Sequence, residues 1–132
     1  MVFSIALVAV LAAFASAQEN STMLGGWHPA QVTDDNKQLL TQALNGTSYS
    51  ESVGNTRVCY SNVTSLQTQV VAGMNYWFTI LGCIVDQSDG VCSQPTLESG
   101  RVENYEVKIF EQQWTNTLKV TSIKQVNRDT SK

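Results

Sequence analysis

One stretch of this chain carries an apolar stripe at helical spacing, and nearly everything after it alternates. Leu39, Leu40, Ala43 and Leu44 fall on one face of a helix. Thr33 suits the N-cap. Asp34 and Asp35 suit the first turn, where unpaired backbone N–H groups leave a partial positive charge. Asn45-Gly46 weakens the far end, so the helix is expected to stop between Asn45 and about Glu51. A strand opens at Val58 and runs to Val70, and a slip in its alternation near Asn62-Val63 predicts a bulge. Met74 to Val85 is a second strand, with Tyr76, Phe78, Ile80 and Ile84 on one face and Trp77, Thr79, Leu81 and Val85 on the other. Tyr105 to Ile109 and Thr115 to Ile123 are two more. Such a sheet must cover its apolar face, and the helix stripe is the only cover available. The expected class is α+β, with one long helix packed on a four- to five-stranded antiparallel sheet. No second helix is expected. Residues 33–125 form the domain, residues 86–100 its longest loop and residues 126–132 a polar tail.

The start of the chain reads differently. Ile5 to Phe14 is apolar and uncharged, and Ala15-Ser16-Ala17 is a small-x-small cleavage site. Residues 1–17 are therefore expected to be a secretory signal, although no basic residue comes after Met1. The run is too short to cross a bilayer, which needs roughly 20 apolar residues. The expected product is secreted and extracellular, with no membrane anchor. The chain beyond Ala17 is long enough for a single domain. Residues 18–32 are polar and contain Leu24-Gly25-Gly26-Trp27, which reads as a flexible N-terminal arm.

A net charge of −3 argues against nucleic acid and anionic membrane surfaces as partners. Secretion favours disulfides, and an odd count of three cysteines leaves one thiol unpaired or paired between chains. Cys83 and Cys92 bracket the turn-rich 86–90 stretch and are one candidate pair. Cys59 and Cys83 are another, because a hairpin turning about Val71 sets them opposite each other; the sequence leaves both open. Three thiols and the single His28 lack paired-ligand spacing, so neither metal nor cofactor is expected. Asn20, Asn45 and Asn62 each open an Asn-x-Ser/Thr glycosylation triplet.

Gln69-Val70-Val71-Ala72-Gly73 sits where the two long strands should turn, and Gln69, Val71 and Gly73 match Gln-x-Val-x-Gly. Met23-Leu24-Gly25-Gly26 lies before it and Trp114 after it. These three pieces, in this order, resemble the cystatins, tight-binding inhibitors of papain-like cysteine proteases. The resemblance spans Leu24 to about Ile123. The block Trp114-Thr115-Asn116-Thr117-Leu118 makes the chain most similar to the extracellular cystatin-like inhibitors of oomycete plant pathogens. It implies a sheet wrapped around a single long helix. It also implies a wedge that enters the protease cleft and makes no product. Leu24 would enter the S2 pocket with Met23 beside it, and Gly25-Gly26 would pass the catalytic cysteine without a Cβ. Val70, Val71 and Ala72 would rest over the cleft, Gly73 would permit the turn, and Gln69 would satisfy backbone groups inside it. Trp114 would add a flat apolar contact on the primed side. The implied partners are papain-like cysteine proteases, extracellular plant enzymes among them.

Two departures from the family pattern bear on these expectations. Gln113 stands where the family usually has proline before the Trp, so the second loop should be softer and more of the binding should rest on the arm and the first loop. The two C-terminal disulfides of animal secreted cystatins cannot be built from these cysteines. A secreted, non-inhibitory binding module on the same fold is the alternative function. An enzyme is not expected, because nothing in the pattern brings a thiol to His28. A monomer is expected, with a domain-swapped dimer as the competing state if the 70–72 loop straightens.

Overall fold

The computed structural model describes residues 25–127. The expected signal at 1–17, Asn20, Met23, Leu24 and the end of the tail lie outside them. The elements run β1 (Trp27–Ala30), α1 (Asp34–Asn45), a 3-10 turn (Glu51–Val53), β2 (Arg57–Val71), β3 (Gly73–Val85), α2 (Gln94–Ser99), β4 (Glu103–Gln112), a 3-10 turn (Gln113–Thr115) and β5 (Thr117–Gln125). The strands form one antiparallel sheet in the order β1-β2-β3-β4-β5.

Helix α1 begins where its cap places it. The Thr33 hydroxyl accepts from the Asn36 amide at 3.2 Å, and the Asn36 side chain accepts from the Thr33 amide at 3.3 Å. This reciprocal box satisfies two donors that a helix start otherwise leaves unpaired. Asn45 is the last helical residue, and the Gly46 amide closes on the Ala43 carbonyl. Leu40, Ala43 and Leu44 are buried against Val58, Tyr60, Val63, Leu66, Phe78, Ile80, Val107, Ile109 and Val120, with Leu39 packed at the margin. Burying such a Leu against the sheet contributes about 1.5–3 kcal/mol. Hydrogen bonds fix the helix further: Thr41 Oγ1 shares a proton with the Tyr60 hydroxyl at 2.8 Å, and the Tyr49 hydroxyl donates to the Leu44 carbonyl at 2.7 Å.

Four expectations need correction. Residues 27–30 of the expected arm form edge strand β1, held in register against Leu66 to Gln69. A second helix exists: α2 is six residues long, with the Ser93 hydroxyl capping the Thr96 amide and Pro95 in its first turn. Its brevity hides any apolar stripe. Ile84 does not share the burial of Tyr76, Phe78 and Ile80; it is 57% exposed. The disulfide joins Cys59 to Cys92, a pair that neither expectation named, and Cys83 is the free thiol. The loop after β3 explains this. It turns back along the edge of β2 that the short β1 leaves open, with the Tyr60 amide donating to the Gly90 carbonyl and the Cys92 amide to the Tyr60 carbonyl, both at 2.9 Å. That path carries Cys92 past Cys83 to Cys59.

The expected bulge is present, and it is double. The β2–β3 pairing shifts between Tyr60 and Asn62 and again between Val63 and Ser65. Cys59 does face Cys83 across the strands, as a turn about Val71 would have it. The hairpin itself turns about Ala72, with Val71 opposite Gly73, and two extra residues in β2 make up the difference.

Candidate functional site

The end of the sheet where β2 turns into β3 and β4 into β5 carries the three sequence pieces. Gly25 comes first. Its amide donates to the Val70 carbonyl at 3.2 Å, and its carbonyl accepts from Gln69 Nε2 at 3.0 Å. Its φ of 93° lies in the left-handed region that glycine adopts freely. Gln69 was expected to satisfy backbone groups inside the turn; its amide instead bonds the Gly25 carbonyl and ties the arm to the sheet. Asn75, its cross-strand partner on β3, donates to Gln69 Oε1 at 2.8 Å and fixes the side chain that holds the arm.

The first loop is open to solvent at Val70 and Val71, 38% and 37% exposed. Gly73 makes the turn possible in two ways. Its φ is 120°, and a Cβ there would lie 2.5 Å from the Glu111 carbonyl oxygen and 3.1 Å from the Phe110 ring. No other residue fits without moving β4.

The second loop presents Trp114, 71% exposed, on the 3-10 turn Gln113–Thr115. Asn116 ends that turn in the left-handed conformation with φ 58° and ψ 40°. Hydrogen bonds stand where proline would have fixed the backbone. Gln112 Nε2 donates to the Ala72 carbonyl at 2.7 Å, and the Thr115 hydroxyl lies 2.7 Å from Gln112 Oε1 and 2.8 Å from the Thr117 hydroxyl. The two loops are thus joined directly. Between them lies a hollow of about 350 Å³ lined by Val71, Gly73, Met74, Glu111, Gln113 and Trp114. Glu111 accepts from the Tyr76 hydroxyl at 3.0 Å. Burial, that hydrogen bond and the nearby carboxylate together push the Tyr76 pKa up to about 12.

Among the described residues, no free cysteine stands beside the single histidine. His28 pairs opposite Thr68 on β1, Cys83 is buried, and Cys59 and Cys92 are bonded to each other.

No protein-family model matches the chain. It is 56% identical over 123 residues to the cystatin-like cysteine protease inhibitor EPIC4 of Phytophthora infestans, an alignment covering 92% of this chain and 72% of that protein. The chain belongs to the cystatin family of cysteine protease inhibitors. It is also 32% identical to cysteine proteinase inhibitor 8 of Oryza sativa subsp. japonica, over 91% of this chain and 90% of that protein. The crystal structure of a salivary cystatin from the soft tick Ornithodoros moubata superposes with a TM-score of 0.57 at 23% identity, covering 78% of this chain and 98% of that one. At that identity the likeness speaks for the cystatin fold alone, and the helix and five-stranded sheet agree with it.

Within this cystatin, the motif residues Gly25, Gln69–Gly73 and Trp114 lie at one end of the sheet, and sequence reasoning did not name the residues that bond to them. Asn75, Gln112, Thr115 and the Tyr76–Glu111 pair carry no motif. Asn75 was open to prediction, since a hairpin centred on Ala72 sets it opposite Gln69. Nothing in the sequence points Gln112 at Ala72. Asn45, at the end of α1, and Asn62, in the β2 bulge, are both exposed, as glycan attachment requires.

Proposed function

We propose that this cystatin is a reversible, noncovalent inhibitor of papain-like cysteine proteases that blocks the active-site cleft with its glycine arm and two hairpin loops. The observation that carries the reading is the continuity of the edge: Gly25, Val70–Gly73 and Trp114 are linked through Gln69 and Gln112 before any partner is present. Preorganisation of this kind lowers the ordering cost that otherwise offsets contact energy on binding. The names of the relatives support the target class. By the family resemblance Leu24 would enter the S2 pocket with Met23 beside it, while Val71, Ala72 and Trp114 cover the catalytic centre and the primed side. Gly25 turns the backbone aside, so no carbonyl is offered for attack and the inhibitor leaves uncleaved. The protein acts outside the cell that makes it, and its targets are extracellular plant enzymes, as the resemblance implies. It works as a monomer, because a swapped dimer would straighten the 70–72 loop.

The test is a titration of papain with purified residues 18–132, followed by mass analysis of the inhibitor. The reading expects activity to fall to baseline at sub-micromolar inhibitor with the chain intact. Full papain activity at micromolar inhibitor sinks it, and leaves a non-inhibitory binding module as the function of this surface.

A further inference from the structure

The far end of the sheet carries a hollow that inhibition does not use. It has a volume of about 510 Å³ and lies between the C-terminal end of α1 and the loop after β3, walled by Asn45, Asn55, Arg57, Asp86, Gln87 and Asp89. That size falls within the roughly 300–1,000 Å³ of cavities that hold small molecules. Part of the wall is fixed before anything enters. The buried Ser88 hydroxyl donates to the Val58 carbonyl at 2.6 Å and accepts from the Gly90 amide at 3.0 Å, which pins the loop. Arg57 Nη1 donates to the Gly54 and Thr56 carbonyls, and its guanidinium lies 3.6 Å from the centroid of the Tyr49 ring. The side chains of Asn45, Asn55, Asp86, Gln87 and Asp89 differ. They are exposed, and none has a hydrogen-bond or ion-pair partner among the described residues. Amide donors and carboxylate acceptors around one cavity suit a sugar ring, whose hydroxyls both donate and accept.

Asn45 decides what enters. It is the last residue of α1, it opens the triplet Asn45-Gly46-Thr47, and all three residues line the hollow. We propose that Asn45 is N-glycosylated and that the first N-acetylglucosamine of its glycan seats in this hollow, bridging the end of α1 to the 86–89 loop. The proposal rests on the secreted reading, because a chain receives such a glycan on the secretory route. The donor is an oligosaccharide carried on a lipid diphosphate. Asn45 Nδ2 attacks the anomeric carbon; a C–N bond forms, the C–O bond to the diphosphate breaks, the electron pair leaves with the diphosphate, and Nδ2 gives up one proton. A sugar tethered at the lip has little translational freedom left to lose, so a few hydrogen bonds to Asp86, Gln87 and Asp89 suffice to seat it. Asn62 stands within β2 opposite Leu81 and lines no part of this hollow. Arg57 opens β2 and Val71 ends it, so the sugar sits at the other end of the longest strand from the binding edge.

The experiment secretes residues 18–132 behind the leader of a eukaryotic host that builds high-mannose glycans, and maps the occupied asparagines by peptide mass. The host's leader keeps this test separate from the secreted reading, which the same chain behind its own residues 1–17 tests alone. The expected product carries sugar on Asn45; a folded, secreted chain with Asn45 bare overturns the proposal. Endoglycosidase H then trims each glycan to a single N-acetylglucosamine. The trimmed chain should melt about 4 °C above Asn45→Gln from the same host, the shift that one net hydrogen bond brings to a domain of this size. Equal midpoints contradict the seat. Should Asn45→Gln fail to fold, Thr47→Ala removes the triplet and keeps the asparagine. Attachment without a seat is separated by Asp86→Ala combined with Gln87→Ala. That pair should erase most of the gain in the trimmed chain and leave the sugar-free chain nearly unmoved; an equal change in both chains overturns the proposal.

Discussion

Gly73 shows how little freedom single residues have at the loop end of the sheet. Its positive φ and the Glu111 carbonyl against its α-carbon leave no room for a side chain. Gly73→Ala should distort both loops at once and cost about 1–3 kcal/mol of stability, readable as a lower midpoint in urea unfolding. Trp114 is the opposite kind of residue, exposed and supporting nothing in the fold. Trp114→Ala should leave the unfolding midpoint unchanged while weakening papain inhibition by about 2 kcal/mol, roughly thirtyfold. Tyr76 makes a prediction about alkali. Its pKa rises from the ordinary 10.0 to about 12 in the folded chain, so the unfolded chain ionises first as pH climbs. Its contribution is complete below about pH 10 and is lost on the way to about 12. Burial raises the pKa of Tyr49 and of Tyr105 as well, in the same direction. Stability should therefore fall across that window, and fall less in Tyr76→Phe; equal slopes for the two proteins would refute the assignment.

Among the elements, the two loops behave as one unit because Gln112 reaches across to Ala72. Gln112→Ala removes about 1 kcal/mol of hydrogen bonding, so inhibition should weaken about fivefold. Much of that loss should vanish when Trp114 is already alanine, since the bond matters mainly by holding the Trp. A fully additive double variant would mean that Gln112 does not act through Trp114. This scale also shows what the sequence could and could not reveal. Helix α1 was legible because its signals are local: a capping Thr33, two acidic residues and a stripe within two turns. The long strands were legible for the same reason, and the bulge showed as a break in period. Edge strand β1 was not, because Trp27 to Ala30 becomes a strand only through residues some forty positions on. The disulfide was hidden likewise, since the 86–93 loop could run either way until Tyr60 offered it an open edge. At the site, motif residues carried their own signal, whereas Asn75 and Gln112 acquire roles only from the partners that folding brings to them.

The whole molecule has two unlike ends along its long strands. One end of the sheet holds the exposed, hydrogen-bonded edge of Gly25, the first loop and Trp114. The other holds the three sulfurs, with α2 packed on β3 nearby. The sheet's flanks are guarded between them. The 90–92 segment pairs along β2, and Ser48 and Ser50 bond to Val120 on β5. Covered edges suppress strand addition by other chains and leave one end free for a partner. The central claim is that this end fills a protease cleft without covalent chemistry. It is tested most directly by measuring the chain's binding to papain with an empty cleft and to papain whose cleft is filled by an irreversible peptidyl epoxide. Tight binding to the first and none to the second is the predicted result; equal binding to both would contradict it.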